Sequence, residues 1–131
     1  MKPNITIQQY ISEYGDKDSI AWNYSHIARY PNREAALQWI TARANASYCG
    51  IKAIEQLDKY EDSNYTDKDA QRESDEWHRL NREWSNVAKS FYGLLYDTNI
   101  DWSKQPTYSD YICGNVTDEQ REKYKHAPVF R

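Results

Sequence analysis

A chain of 131 residues with net charge −3 and 39 % apolar residues is read as a single domain, long enough to bury a core without disulfides or metal. The charge leaves no basic surplus to grip a phosphate backbone, and no run approaches the roughly 18 apolar residues that a membrane span needs. With 4 Gly and 4 Pro a strand-and-turn architecture is disfavoured, while 12 Tyr and 5 Trp supply amphipathic rings for half-buried positions.

The N-terminus reads as two short helices. Thr6 can cap the first, with Gln9 completing a capping box and Ile5 and Tyr10 placed as a hydrophobic staple. Ile7, Tyr10, Ile11 and Tyr14 share one face, and Gly15 ends the helix. Asp16-Lys17-Asp18 is a tight connection, after which Asp18 or Ser19 caps a second helix running to about Tyr30. Pro31 stops it.

Asn32 to Tyr60 is the stretch around which the rest is organised. Asn32 caps one long helix with two apolar sides. Leu37, Ile40, Ala44, Ser47, Ile51 and Ile54 repeat with heptad spacing; Ala35, Trp39, Ala42, Ala46, Cys49 and Ala53 form a second stripe. Gln38, Asn45 and Lys52 make a polar column between them. A helix apolar on two sides belongs in the middle of a fold. Gly50 predicts either close packing against a neighbour or a helix break.

After a turn at Glu61 to Tyr65, Thr66 is the expected cap of a helix running to about Tyr96. Ala70, Trp77, Trp84 and Phe91 form one column and Leu80, Val87 and Leu94 another. Folded back antiparallel, the two arms (about 32–60 and 67–96) pair positions whose numbers sum to about 128, each arm being roughly 45 Å long. Ala44 is then expected opposite Trp84, and Ser47 opposite Leu80. Asp75, Glu76, Arg79, Arg82 and Glu83 read as a solvated outer face. From Asp97 to Asn115 the periodicity fails, which predicts an irregular aromatic strap. Thr117 and Gln120 are a further capping box, opening a short helix through Lys125 or His126 before Pro128; the last five residues are expected to be loose. The predicted fold is therefore all-α: a long antiparallel helical hairpin with two short N-terminal helices on it and a C-terminal strap ending in a helix.

Catalytic and metal signatures are sparse. Cys49 and Cys113 give no disulfide framework. Met1 to Gly15 lacks the apolar centre of a signal peptide, so a cytoplasmic location with reduced thiols is expected. The glycosylation triplets at Asn4, Asn23, Asn45, Asn64 and Asn115 are then chance. Asp75 and His78 supply only one half of a carboxylate-bridged di-iron pattern. No metal, cofactor or enzymatic activity is expected; Cys113 brought near His126 by the fold is the one constellation that would change this.

Two binding readings remain. Tyr60, Glu61, Asp62, Tyr65, Asp67 and Asp69 place rings and carboxylates together at the hairpin tip, suited to a basic surface on another protein. The alternative is a helix-turn-helix over residues 6–30, acting as a dimer on DNA through Asn23, His26, Arg29 and Arg33. An exposed Trp or Tyr stripe on the hairpin could also pair two copies. Small size, missing catalytic motifs, Tyr richness and an acidic tip together resemble the small inhibitor and adaptor proteins of bacteriophages, such as those that block host defence nucleases. No motif carries the resemblance, so no residue role is transferred by it. It implies a non-catalytic protein that occupies a basic surface of its partner.

Overall fold

Each α-helix among the described residues begins where a short polar side chain takes up a free backbone N–H. The computed structural model describes residues 4–15 and 18–125, with side chains described to residue 121. Helix α1 spans Ile7–Tyr14; Gln9 N–H donates to Thr6 Oγ1 at 3.0 Å and Thr6 N–H to Gln9 Oε1 at 2.9 Å, the expected capping box. Gly15, with φ 97, closes it. The connection at Asp16-Lys17 lies outside the described residues. Helix α2 spans Ser19–Ser25 and is capped by Asp18, whose Oδ1 accepts from Ile20 N–H at 2.8 Å.

α2 does not reach Tyr30. It ends at Ser25, and Ile27–Arg29 form a separate 3-10 turn. Ser25 Oγ donates to the Trp22 carbonyl and the His26 ring nitrogen Nδ1 approaches the same oxygen, both at 2.8 Å, so side chains crowd the carbonyl a continuing helix would use. Pro31 then holds Tyr30 extended, at φ −98 and ψ 122.

Helix α3 spans Arg33–Asp62 and runs unbroken through Gly50. Asn32 Oδ1 accepts from Ala35 N–H at 3.0 Å, as expected of its cap. Helix α4 spans Lys68–Tyr92, shorter than predicted at its C-terminal end. Gly93 is a poor helix residue, and two bonds from Asn32 draw the following chain away: its N–H to the Leu95 carbonyl at 2.9 Å and its Nδ2 to the Asp97 carbonyl at 2.6 Å. The cap of α4 is Asp67, which accepts from Ala70 N–H at 3.0 Å; Thr66 instead donates its hydroxyl to the Ser63 carbonyl at 2.7 Å.

α3 and α4 pack along each other as the expected hairpin. Three bonds fix the register. Asn81 Nδ2 donates to the Ala46 carbonyl at 2.7 Å, Ser74 Oγ to the Ala53 carbonyl at 2.9 Å, and Asn32 reaches Leu95. All agree with the predicted sum to within one residue. The face of α3 that meets α4 differs from expectation. It is the small-residue side, marked by Ala46, Gly50 and Ala53, and a Cβ at Gly50 would come within 3.2 Å of Asn81 Nδ2. Gly50 thus makes room for a hydrogen-bonded amide and bends nothing. Ser47, from the other stripe, meets α1: its hydroxyl is 2.8 Å from Tyr10 Oη.

The terminal segments attach to α3 through its polar side chains. Asn45 has no solvent exposure; its Oδ1 accepts from Ile5 N–H at 2.8 Å, and its Nδ2 donates to the Ile5 and Thr41 carbonyls, both at 2.9 Å. Gln38 Oε1 accepts from Tyr108 N–H at 2.7 Å. The strap is not wholly irregular, for it contains helix α5, Tyr108–Cys113, opened by a capping box between Thr107 and Asp110 and closed by left-handed Gly114. Trp84 of α4 packs against Tyr108 and Tyr111 with ring centroids 4.7 and 6.3 Å away. Helix α6, Asp118–Lys125, starts at the predicted Thr117–Gln120 box. Arg121 bonds Glu83 at 3.1 Å, so part of the outer face of α4 holds α6 and is not merely solvated. His126, Pro128 and the last five residues lie outside the described residues. Among the described residues there is no strand, and no helix is long and apolar enough to cross a membrane.

Two outcomes follow for stability. Asn45→Ala strips three bonds and leaves the Ile5 backbone unpaired, so it should destabilise by about 2 kcal/mol in denaturant unfolding. Burial raises the Tyr10, Tyr14 and Tyr108 phenols above their ordinary 10.0, Tyr14 to about 12. Groups with raised folded values stabilise fully below the unfolded value and lose that contribution as pH climbs through the folded one. Stability should therefore hold to about pH 10 and fall towards 12, with the last tyrosinate absorbance appearing together with loss of helical circular dichroism.

Candidate functional site

The bonds that anchor the terminal segments reach α3 between Asn32 and Ser47 among the described residues. Beyond that point the second half of α3 and the first half of α4 form an arm with little cover. Its end is a turn whose two central residues, Asn64 and Tyr65, have φ of 56 and 64. Asn tolerates this left-handed conformation; Tyr adopts it only where its surroundings impose it. Ser63 imposes it, its hydroxyl donating to the Tyr60 carbonyl at 2.6 Å and accepting from Asp67 N–H at 2.9 Å.

The six predicted tip residues do not share one role. Tyr65 is 61 % exposed and edge-packed on Tyr60 at 5.4 Å. Lys68 Nζ lies 5.3 Å from the centre of the Tyr60 ring, holding it against the arm. Glu61 and Asp62 are exposed, and their carboxylates have no bonded partner among the described residues. Asp67 is committed to capping α4, and Asp69 pairs with Arg72. Three of the six, Glu61, Asp62 and Tyr65, are thus exposed to a partner, while Tyr60 is half-buried between Tyr65 and Lys68, whose Nζ donates to its hydroxyl at 3.3 Å.

Two apolar residues join them. Ile54 is 56 % exposed and Leu57 37 %, and helical spacing places both on one face of α3 with Asp58 and Glu61. Ile54 was expected inside the hairpin seam. It is outside because α4 takes the opposite stripe and because α1 and α2, of 8 and 7 residues, are too short to cover a 30-residue helix. That mismatch of lengths is visible in the sequence and is the signal that finds these residues.

The alternative site at residues 6–30 is assembled differently from a DNA reader. Asn23 is buried, its Nδ2 donating to the Ser19 carbonyl at 2.7 Å and its Oδ1 accepting from Tyr30 at 3.2 Å. His26 stacks on Trp22 at 4.2 Å, and the Arg29 guanidinium lies 5.4 Å from the Trp22 ring centre. Arg29 and Arg33 are exposed. A surface ring with two basic neighbours is presented there, while the amide expected to read bases is turned inward.

Burial pushes the Cys49 thiol up to about 12, far from a thiolate at neutral pH. Cys113 is exposed, and its prospective partner His126 lies outside the described residues. No group of three or more His, Cys, Asp or Glu able to hold a metal ion occurs among the described residues, Asp75 and His78 included. No family model, curated protein or solved structure matches the chain.

Proposed function

We propose that this chain is a non-catalytic protein-interaction module whose hairpin arm docks on a basic surface of another protein. The observation that carries the reading is the arm itself. It holds Ile54, Leu57 and Tyr65 out of the core beside the exposed carboxylates of Glu61 and Asp62. Exposed apolar and aromatic groups supply desolvation energy on contact, and the acids select a basic partner and speed its encounter. The arm is already helical, and its two helices are joined by the Ser74–Ala53 bond, so its backbone need not fold on docking.

A phage-type inhibitor or adaptor is the form of this function that the chain resembles. An acidic arm can occupy a groove that otherwise holds nucleic acid on a host defence protein or nuclease. Ile54 and Leu57 also offer a way for two copies to pair, which sedimentation of the free protein would reveal. No cofactor enters the proposal.

The test is capture of a protein partner from a nuclease-treated bacterial lysate, followed by affinity measurements on the purified pair. Glu61→Lys with Asp62→Lys should weaken that pair by about tenfold and flatten its salt dependence. Ile54→Ser should weaken it without altering the salt slope. Asp67→Lys is unsuitable, because uncapping α4 costs about 1 kcal/mol of folding stability by itself. Unchanged affinity in both the charge-reversed and the Ile54→Ser proteins would remove the arm from the interface.

A further inference from the structure

A groove of about 670 Å³ lies between α2 and α4, with α3 as its floor. It is independent of the arm and at the anchored end of the molecule. Binding sites for small organic ligands typically measure roughly 300–1,000 Å³. Two of its lining residues are cations, Arg43 on the floor and Lys89 on the α4 wall.

Neither cation has a carboxylate within ion-pair distance among the described residues, and Arg43 feels the charge of Asp18 only from across the groove. The Arg43 guanidinium donates from Nη2 to Ser19 Oγ at 3.1 Å and lies 5.2 Å from the Trp39 ring centre. It is shielded enough for desolvation to lower its pKa. A guanidinium has five N–H donors, and one is used here. Removing a cation from water without a paired anion is costly, and a ligand carboxylate or phosphate would offset that cost. The nearest acid is Asp18 at the α1 end of the groove. Both of its oxygens are engaged, Oδ1 by Ile20 N–H at 2.8 Å and Oδ2 by the Tyr10 hydroxyl at 3.3 Å, which leaves the Lys89 end for an incoming anion.

The walls are aromatic as well as polar. Tyr30 and Tyr92 flank Trp39 with ring centroids 5.6 and 5.1 Å from it. Rings arranged in this way offer a surface for a flat group. We propose that the groove binds a small organic anion, a flat ring carrying one carboxylate or phosphate, with the anionic group on Arg43 and Lys89 and the ring against the half-buried Tyr30 and Tyr92, which Trp39 backs from the core.

Isothermal titration of the full chain at low salt tests this with five probes: adenosine monophosphate with adenosine and inorganic phosphate as its fragments, and indole-3-carboxylate with indole as its uncharged fragment. At least one of the two ring-bearing anions should bind, with the matching fragment lacking charge or ring about tenfold weaker. Arg43→Gln and Lys89→Gln should each weaken the binding anion by about tenfold, with helical circular dichroism showing that the variants are folded. Lys89→Gln removes no bonded partner and keeps the test decisive if Arg43→Gln fails to fold. Absence of binding by both ring-bearing anions at millimolar concentration, equal affinity for inorganic phosphate, or unchanged affinity in Lys89→Gln overturns the proposal.

Discussion

α3 is enclosed on nearly every side between Ala35 and Ala53, and the rest of the structure follows from that. Ala35, Ala36, Ile40, Ala42, Ala44, Cys49 and Ala53 are all fully buried, although they point in several directions around the helix. Such a helix persists only if its polar side chains find partners inside the fold. Two do so by reaching the backbone of distant segments: Asn45 holds Ile5 and Gln38 holds Tyr108, while the capping residue Asn32 reaches Asp97 with its side chain and Leu95 with its backbone N–H. The chain before α1 and the chain after α4 are thus placed by amides on α3, while apolar burial supplies the driving force. Each of those amides would be a liability if its partner were absent, which makes the arrangement selective for one topology.

The same anchoring divides the molecule lengthwise. Around Asn32 to Ser47 the hairpin is wrapped by α1, α2 and α5, with Trp84 packed under the rings of α5. Beyond Gly50 α3 has less cover among the described residues, and Ile54 and Leu57 stay in water. The division separates two kinds of surface. One is an arm with apolar and acidic groups; the other is a groove lined by Arg43 and Lys89. Their opposite charge means that they are suited to different partners and that neither substitutes for the other.

Much of the architecture was legible in the chain because the relevant signals are local. Thr6, Asn32 and Thr117 cap helices as their spacing implies, Gly15 closes one, and the hairpin register follows from the position of its turn. What was not legible depends on choices made at a distance. The two stripes of α3 are similarly apolar, so spacing cannot say which one α4 takes; the Asn81 and Ser74 bonds decide it. α5 was missed because its capping box uses Asp110 in place of the usual longer acid, within a stretch lacking helical periodicity. The acidic tip was legible as composition, yet composition does not distinguish Glu61, which is exposed, from Asp67, which caps a helix. Asn23 looks available by residue type, and its bonds with the Ser19 carbonyl and the Tyr30 hydroxyl show that its amide is used internally.

Native-state hydrogen exchange tests most directly the claim that a helix anchored along one half carries a free arm on the other. Amides of α3 from Ala35 to Ala46 and of α4 near Trp84 should exchange only through global unfolding, whereas those from Ile54 to Asp62 and the first turns of α4 should open locally with much lower free energy. Equal protection along the whole of α3, or greater protection in the distal half, would contradict the account.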